Sequence, residues 1–120
     1  MSAILIVDDE EKIRMLLCQT LIQKGHSAKD ANSGESALEL LKSEPFDLIV
    51  SDVNMPIMDG LALLKKVKET YKELPVLFMT ANGMEQTLKE AVQLGLDGYV
   101  EKPFNLNHLL DLIAEKIKKK

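Results

Sequence analysis

The stretch Ala3-Ile4-Leu5-Ile6-Val7-Asp8-Asp9 decides the reading of this chain. An unbroken apolar run from Ala3 to Val7 gives way within one step to carboxylates, which continue through Glu10 and Glu11. A run without polar alternation suits a strand buried on both faces of a parallel sheet, because a strand with one wet face would alternate. The abrupt change to acid marks the carboxyl end of that strand, the edge of a parallel sheet at which ligands bind.

Working outward, the segment to about Lys24 places Ile13, Leu16, Leu17, Thr20 and Leu21 on one helical face, and Gly25 follows as a stop signal. A second stripe, Met15, Cys18 and Ile22, lies on the opposite side of the same helix, either as scattered surface residues or as a contact face for another protein. Short apolar runs recur at Leu48-Ile49-Val50, at Val76-Leu77-Phe78-Met79 and, more weakly, at Tyr99-Val100. Helical patterns separate them. Ser33 is set as an N-cap before Ala37, Leu38 and Leu41; then come Leu63, Leu64, Val67 and Tyr71; then Leu88, Ala91 and Val92; and finally Leu109, Leu110, Ile113 and Ile117. Residues 27–31 are polar, and the regular beat of the rest makes them an edge strand. Five strands alternating with five helices predict right-handed βαβ units: a doubly wound, flavodoxin-like α/β fold with helices on both faces of a parallel sheet.

Composition narrows the function classes. At 120 residues the expectation is one core and one domain, spanning 1–120, with no separate output domain. Its apolar fraction of 46% and charged fraction of 28% are those of an ordinary globular protein, and the net charge of −4 argues against direct nucleic-acid binding or an anionic membrane surface. The terminal Lys118-Lys119-Lys120 is a local exception. One cysteine, Cys18, makes no internal disulfide and lacks the partners of a zinc site. With no signal peptide and no apolar run near the roughly 20 residues of a membrane span, the expectation is a cytoplasmic protein.

If the strand order is 2-1-3-4-5, the first and third strands are neighbours and their ends bring Asp8, Asp9 and Asp52 into one small pocket. Like charges that close raise one another's pKa, and a hard divalent cation keeps them ionised. Mg2+ fits best, since Ca2+ prefers more oxygen ligands and soft metals want Cys or His. Lys102, after the fifth strand, adds an ammonium, and a carboxylate cluster with a cation and an ammonium is a receptor for a phosphoryl group. Asp52, alone after the central strand, is the better nucleophile; Asp8 and Asp9 are better cation holders; Thr80 offers a hydroxyl to a phosphoryl oxygen. The plainer alternatives are acids that cap the next helix, a solvated lysine and a β-branched strand residue.

Four motifs stand in order at four strand ends: Asp8-Asp9; Asp52-Val53-Asn54-Met55-Pro56 with Asp59-Gly60; Thr80-Ala81; and Lys102-Pro103-Phe104. Together they resemble the response-regulator receiver domain of two-component signalling, of the chemotaxis-regulator type, over essentially the whole chain. The resemblance implies that Asp52 accepts a phosphoryl group from a sensor histidine kinase or histidine phosphotransfer protein. It further implies that Asp9 and Asp52 ligate Mg2+ directly, or Mn2+ in its place, with Asp8 acting through water and the Asn54 backbone carbonyl completing the set. Lys102 would pair with Asp52 and then with the phosphoryl group. Thr80 and Tyr99 resemble the family's switch pair, Pro103 its cis peptide, Pro56 its rigid loop and Gly60 its tight helix start. Asn54 and Asn82 match positions that tune phosphoryl lifetime. The partners implied are the phosphodonor and either a downstream protein target or a covalently linked output domain, with the chain itself monomeric or weakly dimeric.

The sequence lacks a glycine-rich phosphate loop with its Lys and Ser or Thr, lacks G-x-G-x-x-G, and has Asn54 where an aspartate-nucleophile phosphatase needs a second Asp. Two other readings remain at this point: a module of the same fold that signals without phosphate, and a small flavodoxin-like redox carrier. His26 and His108 read as surface or edge residues.

Overall fold

The computed structural model describes residues 2–118, so of the basic terminus Lys119 and Lys120 lie outside the described residues. The elements alternate as expected: β1 (Ala3–Val7), α1 (Glu11–Gln23), β2 (Ser27–Ala31), α2 (Gly34–Ser43), β3 (Leu48–Asp52), α3 (Gly60–Thr70), β4 (Val76–Thr80), α4 (Glu85–Gln93), β5 (Gly98–Glu101) and α5 (Leu106–Lys118). All strand pairs are parallel and the order is β2-β1-β3-β4-β5. The polar segment 27–31 is the edge strand, in register with β1 from Ala3 opposite Ser27 to Val7 opposite Ala31.

Successive residues of a strand face opposite sides, and both sides are apolar here, which is why the runs do not alternate. Leu5, Val7, Ile49, Val76 and Phe78 pack under Ala37 and Leu41 of α2, Leu63, Leu64 and Val67 of α3, and Ala91 of α4. Ile4, Ile6, Leu48, Val50, Leu77, Met79 and Val100 pack under Leu17 and Leu21 of α1 and Leu109 and Ile113 of α5. Two cores on two faces leave the sheet no wet surface except at β2 and β5.

Local chemistry sets the helix ends. The Ser33 hydroxyl accepts from Ser36 N at 3.1 Å and the Asp59 carboxylate from Ala62 N at 2.9 Å, so each caps its helix. Gly25, just past α1, has φ of 94°, the left-handed conformation glycine takes most readily.

Two residues of the expected helical stripes turn outward, Val92 of the fourth, 62% exposed, and Leu16 of the first. Leu16, read as sheet-facing, is half exposed together with Met15 and Ile22, whereas Cys18 of the second stripe is partly buried against the core. Residues of a helix stand about 100° apart, and the inward face is centred on Leu17 and Leu21. Arg14 and Cys18 lie on the flank turned toward the sheet, and Leu16 falls beyond the other. Tyr71, grouped with the third helical stripe, is the residue on which α3 ends.

Candidate functional site

The carboxyl ends of β1, β3, β4 and β5 bring the sequence-selected residues to one end of the sheet. Asp52 is the last residue of β3, Thr80 the last of β4, Asp8 and Asp9 follow β1, and Lys102 follows β5. One carboxylate oxygen from each of Asp8, Asp9 and Asp52 lies within 4.8 Å of the others. Asp8 and Asp52 are buried and Asp9 is exposed, so the cluster has a closed floor and an open rim.

Asp52 Oδ1 accepts from its neighbour's amide, Val53 N, at 2.9 Å and from Lys102 Nζ at 3.3 Å. Lys102 Nζ also stands 3.9 Å from Asp8 Oδ2, so the ammonium bridges the two buried acids. Asp8 Oδ1 accepts from Glu10 N at 2.9 Å, while Asp8 Oδ2 is buried with no hydrogen-bond partner. Burial, countered by the Glu10 amide and Lys102 and assisted by the Asp52 charge, pushes the Asp8 carboxyl up to about 6. Burial also raises Asp52, against Lys102 and the Val53 amide, with the Asp9 charge adding to the rise. Like-charge repulsion, the cause inferred from sequence, is present but secondary to desolvation.

A buried carboxylate oxygen without a donor, in a cluster of carboxylates at the mouth of the sheet, is what a hard cation relieves, so the residues fit Mg2+. The donors are all oxygen, and the sequence places neither His nor Cys among them. Asn54 is exposed next to this cluster, its amide nitrogen 3.8 Å from Met84 Sδ.

Thr80 is fully buried and its hydroxyl donates to Val100 O over a long 3.4 Å, a bond easily exchanged for a better acceptor. Tyr99, next to that carbonyl's residue, is 44% exposed and points away from the core. The Lys102-Pro103 peptide is cis, and Lys102 N donates to Thr80 O at 2.7 Å, which ties the lysine to the β4 end. A Cβ on Gly60 would stand 2.5 Å from Asp52 O, so only glycine lets α3 start directly under Asp52. Pro56 O accepts from Met58 N at 2.8 Å across Ile57, whose φ is 70°. His108 is exposed and His26 half-buried, both away from the acidic cluster.

Sequence reasoning missed Arg14. Its Nη1 donates to Asp8 O at 2.8 Å and its Nε to Asp30 Oδ2 at 2.8 Å. A signal was available: Arg14 is the only arginine in the sequence, every other long basic side chain being lysine. A planar two-pronged donor is not interchangeable with an ammonium, so a lone Arg beside an acidic loop marks a forked contact.

The chain is similar to known proteins in sequence and in fold. The sequence profile of the response regulator receiver domain matches residues 4–114. The chain is 41% identical to the chemotaxis protein CheY-3 of Vibrio cholerae over 95% of its own length and 92% of the relative's. It is 44% identical to the response regulator protein FleR of Pseudomonas aeruginosa, but there 94% of the chain spans only 24% of the relative. The crystal structure of the Vibrio cholerae chemotaxis protein CheY4 superposes with a TM-score of 0.90 at 35% identity, covering 96% of this chain and 98% of that one.

Proposed function

The chain belongs to the response regulator receiver family, and from that premise we propose that Asp52 is its phosphoacceptor and that Asp8, Asp9, Lys102 and Thr80 serve that one reaction. The family's work is two-component phosphorelay signalling, in which aspartyl phosphorylation with Mg2+ changes what the domain binds. The observation that carries the residue assignment is the buried, donor-less Asp8 Oδ2 beside an Asp52 whose Oδ1 is already held by Val53 N and Lys102 Nζ.

With Oδ1 engaged, Asp52 Oδ2 is the oxygen left to attack phosphorus. The O–P bond forms as the bond from phosphorus to the donor imidazole nitrogen, or to the acyl oxygen of a small donor, breaks in line; the imidazole takes a proton as it leaves, and the carboxylate of a small donor leaves as the anion. Mg2+, or Mn2+ in its place, would be held by Asp9 and Asp52, by Asp8 through water and by the Asn54 backbone carbonyl. Bound there, the ion would neutralise the carboxylates and draw charge from the phosphoryl oxygens.

Lys102, now 3.3 Å from Asp52, would move onto a phosphoryl oxygen and keep the site's charge balanced. Thr80 would exchange its long bond to Val100 O for a second phosphoryl oxygen, releasing the backbone beside Tyr99 and changing the β4–β5 surface. Pro56, Gly60 and Pro103 fix the loops that make these approaches possible. The phosphodonor is a sensor histidine kinase or a histidine phosphotransfer protein, and the reader is a docking protein or a linked output domain. Among the described residues no helix is long and apolar enough to cross a membrane, and the proposal is for a cytoplasmic, monomeric or weakly dimeric signalling domain.

Incubation with acetyl phosphate and Mg2+, followed by intact mass, tests the assignment. One phosphoryl adduct is expected on the natural chain and none on Asp52→Asn. An adduct that persists in Asp52→Asn would assign the chemistry elsewhere, and no adduct on either would favour a module that signals without phosphate.

A further inference from the structure

The Asp8 residue is fixed from three sides. Its amide donates to Ala31 O of β2 at 3.2 Å, its Oδ1 accepts from Glu10 N, and its backbone carbonyl accepts from Arg14 Nη1. The first contact joins the β1 end to the edge strand and the second is a local turn. The third is the only one of the three made by another residue's side chain. The peptide bond is planar, so holding Asp8 O also fixes the Asp9 N–H and the direction in which the chain enters Asp9. One contact thereby holds the backbone from which two carboxylates extend.

Arg14 is itself held. Only 13% of its side chain is exposed, and its Nε is anchored on Asp30 Oδ2 of β2. The guanidinium therefore spans α1, the end of β1 and the edge strand, with two hydrogen bonds from a rigid fork whose geometry a lysine cannot reproduce.

We propose that Arg14 is a positioning residue for the cation site: by clamping the Asp8 carbonyl to Asp30 it aims the Asp8 and Asp9 carboxylates at Asp52. The proposal rests on the reading of Asp8 and Asp9 as cation holders. It adds a link from the polar edge strand β2 to the acidic cluster, so that Asp30, distant in sequence from every motif, belongs to the support of the site.

The test is a titration of the intact chain with Mn2+, read by the electron paramagnetic resonance signal of the free ion and repeated with Mg2+ as competitor. Thermal unfolding of each metal-free variant accompanies it. Asp9→Asn tests the underlying site reading, while Arg14→Gln and Arg14→Lys test the clamp. Loss of a group that orients a metal ligand typically weakens affinity on the order of 10-fold, and that loss is expected in both Arg14 variants, the lysine failing despite its charge. Asp30→Asn, which loosens the anchor alone, is expected to weaken affinity in the same direction by less.

If Asp9→Asn keeps full affinity, the site reading fails and the clamp fails with it. If Asp9→Asn loses affinity while both Arg14 variants keep it, the site stands and the clamp is overturned. A lowered melting temperature with unchanged affinity likewise overturns it, because that is the behaviour of a merely structural arginine. Should Arg14→Gln not fold, Arg14→Lys and Asp30→Asn decide the question.

Discussion

Opposite ends of the same sheet hold aspartates in opposite circumstances. At the end where strands begin, Asp97 Oδ2 accepts from Val76 N at 2.8 Å and from Lys68 Nζ at 3.0 Å, stitching the start of β4 to that of β5. Asp47 Oδ2 accepts from Ala3 N at 2.7 Å and does the same for β3 and β1. At the end where strands finish, Asp8, Asp9 and Asp52 crowd together, and Asp8 Oδ2 has no donor. The first pair spends its lone pairs on the fold. In the second cluster Asp8 Oδ1 and Asp52 Oδ1 are engaged by Glu10 N, Val53 N and Lys102 but Asp8 Oδ2 is not, and under the proposed function a cation relieves that oxygen, whose burial costs stability.

The contrast yields predictions that would break it or sharpen it. The largest effect is expected from Lys102→Ala, which removes the ammonium that stands between Asp8 and Asp52. Transfer from acetyl phosphate should fall about 100-fold, as when a preorganised donor to a developing charge is lost. Stopped-flow or quenched mass measurements read this, and an unchanged rate would remove Lys102 from the chemistry.

Next is the pH dependence of the metal-free chain. Asp8 holds its proton up to about 6 when folded, against 3.8 ordinarily, so the folded state binds more protons across that interval. Stability therefore falls as pH rises from 4 to 6. The full penalty, up to about 3 kcal/mol, is present above 6 and absent below 4. Asp52, also raised, adds in the same direction. Denaturant unfolding at pH 4.5 and pH 7.5 measures it, and Asp8→Asn should flatten the difference while weakening Mg2+ binding.

The beginning end should respond in the contrary sense. Asp97→Ala leaves Val76 N without this acceptor and the Lys68 ammonium with Leu74 O but no carboxylate, and should cost about 2 kcal/mol with Mg2+ affinity unchanged. A loss of affinity there would dissolve the division between the two ends.

The smallest effect concerns Ile57. Its φ of 70° is strained for a β-branched residue, and the residue is 96% exposed, so no burial offsets the strain. Ile57→Asn should stabilise the chain by about 0.5–1 kcal/mol in urea unfolding.

The sequence made the strand ends legible because both faces of β1, β3 and β4 are buried, and an unbroken apolar run that stops at an acid leaves little ambiguity. The edge strand 27–31 was legible only by rhythm, since its residues are those of a loop. Helix α1 was not fully legible: apolar spacing admits two stripes, and the choice between them involves a polar residue, Arg14, whose partners Asp8 and Asp30 lie on other elements. The three carboxylates were found from strand order alone, but not the order of causes on their pKa, because burial depends on how the helices close over the site. The stitching role of Asp97 was also out of reach, as it depends on a lysine far away in the chain and on where β4 begins.

The most direct test of the central claim is to locate the phosphoryl group itself. Reduction of the acyl phosphate with borohydride after Mg2+-dependent phosphorylation, followed by peptide mapping, should place the modification on Asp52 and find none when Mg2+ is chelated. Modification at Asp8, at Asp9 or at a histidine, or equal modification without Mg2+, would contradict the account.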